Sequence, residues 1–261
     1  MFAGIDVGSL TTKAVLMDND KIVGYSIVSS RTNPKGTAEQ ALDDALHKTR
    51  YERDTLKFIV ATGYGRIALD FVNHTVTELT CHAKGVHWLN PKVRTVIDIG
   101  GQDSKVIKLD AYGNMIDFAM NDKCAAGTGR FLEIMANALE VEIEQMGEFS
   151  LRSNRPCSLS STCTVFAESE IVSLIASGAS KEDIIAGLHT SIARRVGNMV
   201  KSLGLEPEVA FVGGVAKNVG VRKALEEFLD VEFTHIEQDP QIIGALGAAL
   251  IAREAKAKEV K

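Results

Sequence analysis

The chain has 261 residues, of which 45% are hydrophobic and 24% charged, and its formal net charge is -5. This composition is that of a globular protein with room for one large or two medium domains. The acidic balance argues against a nucleic-acid partner, and the longest apolar run, about Ile242–Ala252, is shorter than the roughly 20 residues that cross a bilayer. The chain start carries no signal-peptide pattern and four cysteines make no disulfide framework, so we expect a cytoplasmic protein without a membrane partner.

Strand and turn signals alternate through the first half of the chain. Three strands are predicted at Phe2–Asp6, Lys13–Met17 and Ile22–Val28. The residues Thr37–Gln40 have the pattern of a capping box, which predicts a helix from about Ala41. A fourth strand, Lys57–Ala61, and a helix, Val76–Leu89, are predicted next.

The same pattern begins again in the second half. Strands are predicted at Thr95–Ile99, Ser104–Leu109, Met115–Met120, Val209–Gly213 and Val231–His235. Helices are predicted at Gly127–Leu139, Val165–Ser177, Lys181–Leu203, Val215–Leu229 and from Ile242 onward. The restart predicts two similar domains, residues 1–92 and 93–242, with the last helix (about 243–261) packing back on the first.

An internal repeat supplies the first functional signal. Gly4–Lys13 (GIDVGSLTTK) and Val96–Lys105 (VIDIGGQDSK) both read as an apolar strand, Asp, Gly, a small turn and a lysine that opens the return strand. A turn bounded by glycine brings backbone N–H groups close to phosphate oxygens. Asp6 and Asp98 are then placed to hold a hydrated Mg²⁺. The alternative, two ordinary hairpins, is disfavoured because the motif occurs twice.

Two cysteines supply the second signal. Cys124 and Cys163 each precede a helix-patterned segment, where the helix dipole favours a thiolate. Two thiolates are half of what an iron–sulfur cluster requires, and a symmetric dimer would supply the other two. This pattern favours ATP-driven electron transfer, whereas the alternative is that both are buried structural cysteines. Cys157, six positions before Cys163, is the candidate for a third ligand, but we interpret it as structural or incidental and Cys81 as a buried core residue.

A third glycine feature completes a series. Phe211–Ala216 (FVGGVA) ends a strand and opens a helix, where an adenine ring or a ribose can lie against bare backbone. Together, DVGS, DIGGQD and GGVA resemble the motifs of the acetate and sugar kinase/heat-shock chaperone/actin superfamily. The resemblance implies an α/β fold of two ribonuclease-H-like domains (the actin-like ATPase fold) with duplicated β-hairpin phosphate loops and ATP in the cleft between the domains.

Longer motifs from about Gly4 to Leu250 narrow the resemblance. They are Ala61–Arg66, Asp98–Asp103, Asn121–Phe131, Ser160–Glu170, Gly213–Ala216 and Gly244–Ala249. In order and spacing they resemble the ATPase activator component of (R)-2-hydroxyacyl-CoA dehydratases, within the BadF/BadG/BcrA/BcrD ATPase family. The resemblance implies a homodimer with one [4Fe–4S] cluster bound by Cys124 and Cys163 of both chains. ATP would drive single electrons, received from reduced ferredoxin or flavodoxin, to a dehydratase component or a related acyl-CoA reductase.

The resemblance also implies the residues of the ATP/ADP and Mg²⁺ site. The predicted nucleotide contacts are Ser9, Leu10, Thr11, Thr12, Lys13, Gly101, Gln102, Gly127, Thr128, Gly129, Gly213, Gly214, Ala216 and Gln241. Asp6 and Asp98 are predicted near the metal, and Gln102 or Asp103 is predicted to orient the attacking water. The segment Gly127–Gly129 is the expected coupling element between nucleotide and cluster. A small-molecule kinase and a nucleotide-switched scaffold are the competing functions, and iron analysis separates both from the activator.

Overall fold

The computed structural model describes residues 1–159 and 163–259. The chain divides into two compact units: unit 1 is Met1–Val96, Ile107–Ile116 and His235–Lys261, and unit 2 is Ile97–Val106 and Asp117–Thr234. The domain boundaries at residues 92 and 242 stay a prediction. None of the described helices is long and apolar enough to cross a membrane.

The regular elements follow the predicted order closely. The strands are β1 (Phe2–Val7), β2 (Thr11–Asp18), β3 (Lys21–Ser29), β4 (Phe58–Thr62), β5 (His74–Thr75), β6 (Thr95–Ile99), β7 (Ser104–Leu109), β8 (Met115–Asn121) and β9 (Val209–Val212). The α-helices are α1 (Pro34–His47), α2 (Glu78–Leu89), α3 (Gly129–Leu139), α4 (Met146–Leu151), α5 (Thr164–Ala176), α6 (Lys181–Leu203), α7 (Val219–Leu229) and α8 (Ile243–Glu259).

Unit 1 is built on a five-stranded sheet of order β3-β2-β1-β4-β5. Strand β1 pairs antiparallel with β2 and parallel with β4. Helix α1 packs its buried alanines and Leu42 against one face of this sheet. Helix α8 is buried on the other face, where Ala245 and Ala249 approach so closely that residue 4 must be glycine, since a Cβ at Gly4 would overlap their backbone.

Unit 2 repeats the order of the first four strands of this sheet. Its sheet has the order β8-β7-β6-β9, so the first three strands of each sheet are consecutive hairpin strands and the fourth strand follows a long connection. One core cluster joins this sheet to helices α3 to α7, with Phe131, Met135, Leu188 and Phe211 among its buried members. The repeated hairpin in the sequence therefore corresponds to a repeated sheet.

Helix α1 begins earlier than the sequence predicted. Its N-cap is Asn33, whose side chain accepts the N–H of Gly36, and Pro34 occupies the first turn. The predicted capping box is therefore wrong: Thr37 lies inside the helix and its hydroxyl donates to the carbonyl of Asn33 at 2.9 Å. The stronger signal was Asn33-Pro34, a cap followed by a residue that tolerates the first helical position.

The predicted strand Val231–His235 is also wrong, because only Phe233 forms a bridge, parallel to Val209. Side chains bind the backbone of Phe233 instead: its N–H donates to Glu226 Oε1 at 2.9 Å and its carbonyl accepts from Arg222 at 3.0 Å. The predicted helix from Val215 to Leu229 is divided by the N-cap Asn218, with a 3-10 helix before it.

Candidate functional site

The first candidate element is turn 1, residues 8–11 between β1 and β2. Lys13 Nζ lies 3.3 Å from Asp6 Oδ2 and also donates to the carbonyl of Thr11 at 3.2 Å. The turn is closed by a hydrogen bond of 3.1 Å from the Gly8 N–H to the Thr11 carbonyl. Ser9, Leu10 and Thr11 are half-buried, so turn 1 presents backbone and hydroxyl donors next to a lysine held by an aspartate.

Ser30, at the end of β3, fixes turn 1 from outside. Its hydroxyl donates to the carbonyl of Gly8 at 2.7 Å and its N–H donates to the carbonyl of Leu10 at 2.9 Å. The hydroxyl of Thr12 lies 2.9 Å from that of Ser30 and is buried. Thr12 is therefore part of the support of the turn, and Ser30 is a supporting residue that the sequence gave no signal for.

Turn 2, residues 100–103 between β6 and β7, has the same lysine–aspartate pair and closing hydrogen bond as turn 1, and it adds a second aspartate. Lys105 Nζ lies 3.3 Å from Asp98 Oδ2 and 2.7 Å from Asp103 Oδ1, and the lysine side chain is 2% exposed. The Gly100 N–H donates to the Asp103 carbonyl at 3.0 Å. Asp103 is thus bound to a lysine, whereas Gln102 is exposed at the tip of the turn. Lys105 was recognisable as the counterpart of Lys13, yet it was absent from the predicted site residues.

A glycine with positive φ faces the aspartate in each unit. Gly63, after β4, has φ +84° and leaves no room for a Cβ beside Asp6 Oδ1. Gly213, after β9, has φ +87° and stands in the same relation to Asp98 Oδ1. Each glycine is followed by a 3-10 helix, and the one in unit 2 contains the exposed Gly214 and the buried Ala216. Gly63 is therefore the counterpart in unit 1 of the predicted adenosine contact Gly213.

The start of α3 is hydrogen-bonded to turn 2. The Gly129 N–H donates to the Gly100 carbonyl at 2.9 Å, and the Arg130 N–H donates to the Gly101 carbonyl at 2.8 Å. Thr128 is buried and its hydroxyl donates to the carbonyl of Ala125. These bonds form a junction between turn 2 and α3, and we call them the turn 2–α3 junction.

The loop before α3, residues 121–128, carries Cys124 and is called the Cys124 loop. Asn121 Nδ2 donates to the carbonyl of Cys124 at 2.9 Å and to that of Ala126 at 3.3 Å. Helix α3 begins two residues later than predicted, so this loop separates Cys124 from the helix. Cys124 is half-buried against the core of unit 2, to which α3 and α5 both contribute.

Cys163 is exposed and is the N-cap residue of α5. The preceding residues 160–162 of the predicted motif Ser160–Glu170 lie outside the described residues.

Cys157 is held by a hydrogen bond of 2.8 Å from its N–H to the Asp183 carbonyl, and burial raises the pKa of its thiol. Cys81 lies in the core of unit 1, where burial raises the pKa of its thiol to about 12.

Gln241, a predicted nucleotide contact, belongs to unit 1 just before α8. Its N–H donates to Asp239 Oδ1 at 2.9 Å.

His189, on α6, is buried in unit 2, and its Nε2 lies 3.3 Å from Asn218 Nδ2. Burial lowers the pKa of His189 to about 3, so the ring is neutral and contributes to packing.

The fold first defines a class. Two sheets share the order of four strands, and each has an Asp–Gly turn that leads into a strand carrying a lysine. This arrangement is the actin-like ATPase fold, and this prediction is confirmed. A solved activator of 2-hydroxyisocaproyl-CoA dehydratase from Clostridium difficile, with bound ADPNP, superposes with a TM-score of 0.94 at 45% identity, covering 100% of this chain and 97% of that one.

Within that class the family follows directly. The model of the BadF/BadG/BcrA/BcrD ATPase family matches residues 3–252, and the chain belongs to this family. It is 47% identical to a 2-hydroxyisocaproyl-CoA dehydratase activator of Clostridioides difficile over 99% of this chain and 98% of that protein. It is also 47% identical to the (R)-2-hydroxyglutaryl-CoA dehydratase activating ATPase of Acidaminococcus fermentans, over 98% of both chains.

Proposed function

We propose that this protein is an ATP-dependent electron donor that activates a 2-hydroxyacyl-CoA dehydratase or a related acyl-CoA reductase. Cys124 and Cys163 of two identical chains would together bind one [4Fe–4S] cluster. The similar proteins named as dehydratase activators support the activating role. Reduced ferredoxin or flavodoxin is the proposed class of electron source, because such proteins deliver single electrons.

The turn 2–α3 junction is the observation that carries this proposal. Turn 2 belongs to the repeated Asp–Gly–Lys element, and two backbone hydrogen bonds attach it to the first residues of α3. The loop that enters α3 contains Cys124. A movement of turn 2 on nucleotide binding therefore displaces the start of α3 and with it the backbone that positions the cysteine.

The cysteines fit the proposed cluster. Cys163 is exposed at the N-terminus of the 13-residue helix α5, where the helix dipole favours an anionic group. Cys124 is held in place through its own carbonyl by Asn121. Among the described residues, no three His, Cys, Asp or Glu side chains gather into a metal site, which agrees with a ligand set completed by a second chain. When bound, the cluster supplies a one-electron carrier.

Helix α5 offers the surface for that second chain. Val165, Phe166, Val172 and Ile175 are 69%, 68%, 59% and 44% exposed, and Ala167 and Ile171 are the buried residues of this helix. Contiguous exposed apolar side chains indicate an interaction surface. The surface begins two residues after Cys163, so a two-fold contact through α5 would bring the same cysteine of both chains together.

The nucleotide is assigned to the two turns and the glycines that face them. Backbone N–H groups of Ser9 and Leu10, and those of Gly101 and Gln102, are the proposed phosphate donors. Asp6 and Asp98 would hold Mg²⁺ through its water ligands. Gln102 is the proposed residue that orients the attacking water, because its side chain is exposed at the turn. The carboxyl group of Asp103 is buried, and its Oδ1 is bound to Lys105.

Iron analysis of protein purified without oxygen tests the proposal. The native protein should contain about four irons per two chains, since such clusters have four thiolate ligands. Cys124→Ser and Cys163→Ser should lose the iron and loosen the dimer, whereas the control variants Cys81→Ser and Cys157→Ser should keep both. Full iron content in Cys163→Ser, or an iron-free native dimer that still hydrolyses ATP and phosphorylates a sugar, contradicts the proposal.

A further inference from the structure

Arg195 lies on α6 with its aliphatic stem against the Cys124 loop. A Cβ built on Gly127 would lie 3.0 Å from Arg195 Cδ and 3.8 Å from its Nε. Gly127 also has φ +86°, a conformation that favours glycine. Residue 127 is thus a glycine for two reasons, and one of them is that it leaves room for the arginine stem.

The guanidinium of Arg195 is available to bind a ligand. Within residues 1–159 and 163–259 it has no hydrogen bond or ion pair, although the side chain is half-buried. Two other arginines of unit 2 have acidic partners: Arg130 pairs with Glu133 at 3.0 Å and Arg222 with Glu226 at 3.3 Å. A guanidinium presents five N–H donors in a planar fork, so a half-buried one is suited to an anionic ligand.

The lysine that follows turn 2 and the first N–H groups of α3 are already bound within the protein. Lys105 is held by Asp98 and Asp103, and the N–H groups of Gly129 and Arg130 donate to carbonyls of the turn. Turn 2 and the start of α3 therefore lack an uncommitted positive charge of their own. Arg195, whose stem packs on Gly127 two residues before this junction, can add one.

We propose that Arg195 binds the terminal phosphate of the nucleotide and thereby connects the Cys124 loop to the difference between ATP and ADP. The inference rests on the proposed function, since it takes turn 2 as a phosphate site. An arginine fork matches phosphate geometry. A ligand shifts a conformation only through contacts that differ between the two states, and the terminal phosphate is what ADP lacks. Through its stem on Gly127, Arg195 would fix the loop only when ATP is bound.

The test compares Arg195→Gln with Arg194→Gln, which removes the same charge from the exposed neighbouring position. ATP and ADP dissociation constants are measured by calorimetry with Mg²⁺ on anaerobic, iron-loaded protein. Arg195→Gln should weaken ATP binding about tenfold, the loss of one charge-assisted phosphate contact, and ADP binding less than about threefold. Arg195→Lys should recover part of the loss, and Arg194→Gln should match the native protein.

An unchanged ATP affinity in Arg195→Gln, or equal losses for ATP and ADP, overturns the inference. Loss of iron with unchanged nucleotide affinities also overturns it, because Arg195 would then support the loop alone. A native protein that binds ATP but holds no iron contradicts the proposed function instead, and the ratio of the ATP and ADP constants still decides the role of Arg195.

Discussion

Lys105→Met should destabilise the protein strongly, because this lysine is the shared partner of two buried carboxylates. Asp98 and Asp103 are 3% and 5% exposed, and the lysine side chain is 2% exposed. Removing one partner of a buried ion pair costs about 3–5 kcal/mol, since the remaining charge stays desolvated. That loss is a large share of the about 5–15 kcal/mol that holds a typical domain together.

The assay is urea denaturation of iron-free protein followed by circular dichroism. Lys123→Met removes a lysine whose side chain is 89% exposed and should change the free energy of unfolding by less than about 0.5 kcal/mol. The double variant Lys105→Met/Asp103→Asn leaves one buried carboxylate instead of two and should recover about 1–3 kcal/mol. If Lys105→Met lowers the free energy of unfolding no more than Lys123→Met, or if the double variant recovers nothing, the ion pairs of Lys105 with Asp98 and Asp103 do not stabilise turn 2.

Three further predictions follow from buried or strained groups. Burial lowers the pKa of His189 to about 3, so the unfolded chain takes up a proton below about pH 6.5 and the folded protein does not. The free energy of unfolding should therefore fall by about 1.4 kcal/mol per pH unit below about pH 6.5. His189→Gln should flatten this decline between pH 7 and 5, and an identical slope contradicts the prediction. In iron-free protein a maleimide should label the exposed Cys163 and leave the buried Cys81 unlabelled until denaturation, as mass spectrometry can show; equal labelling rates refute it. Gly63→Ala should lower the free energy of unfolding by about 1–3 kcal/mol through backbone strain and further through overlap with Asp6. In the control Gly178→Ala, the glycine has φ +85° and open space around it, so only the strain should be lost. Equal losses of melting temperature in the two variants would rule out the overlap.

The repeated turns were predictable from the sequence because their chemistry is local. Asp6 and Lys13, and Asp98 and Lys105, are separated by the same spacing along the chain, and the pairs form the same 3.3 Å contact in both units. A glycine turn between two alternating apolar runs determines such a hairpin without help from distant residues.

The remaining features depend on contacts between distant segments. Ser30 closes turn 1 from the end of another strand, and Gly129 reaches Gly100 across residues that the sequence does not mark as neighbours. The segment around Phe233 has the residue pattern of a strand, yet side chains of α7 bind the backbone of Phe233. Arg195 reads as an ordinary polar position of a helix, and its contact with Gly127 is visible only once α6 is packed beside the Cys124 loop.

Redox titration tests most directly whether nucleotide at turn 2 is coupled to the cysteine environment at α3. The midpoint potential of the anaerobic, iron-loaded dimer is measured with saturating ADP and with a non-hydrolysable ATP analogue. We predict different potentials in the two states and, by thermodynamic linkage, a matching difference in ATP affinity between oxidised and reduced protein. Equal potentials together with equal affinities would mean that the turn 2–α3 junction transmits nothing, and the proposed activator mechanism would be contradicted.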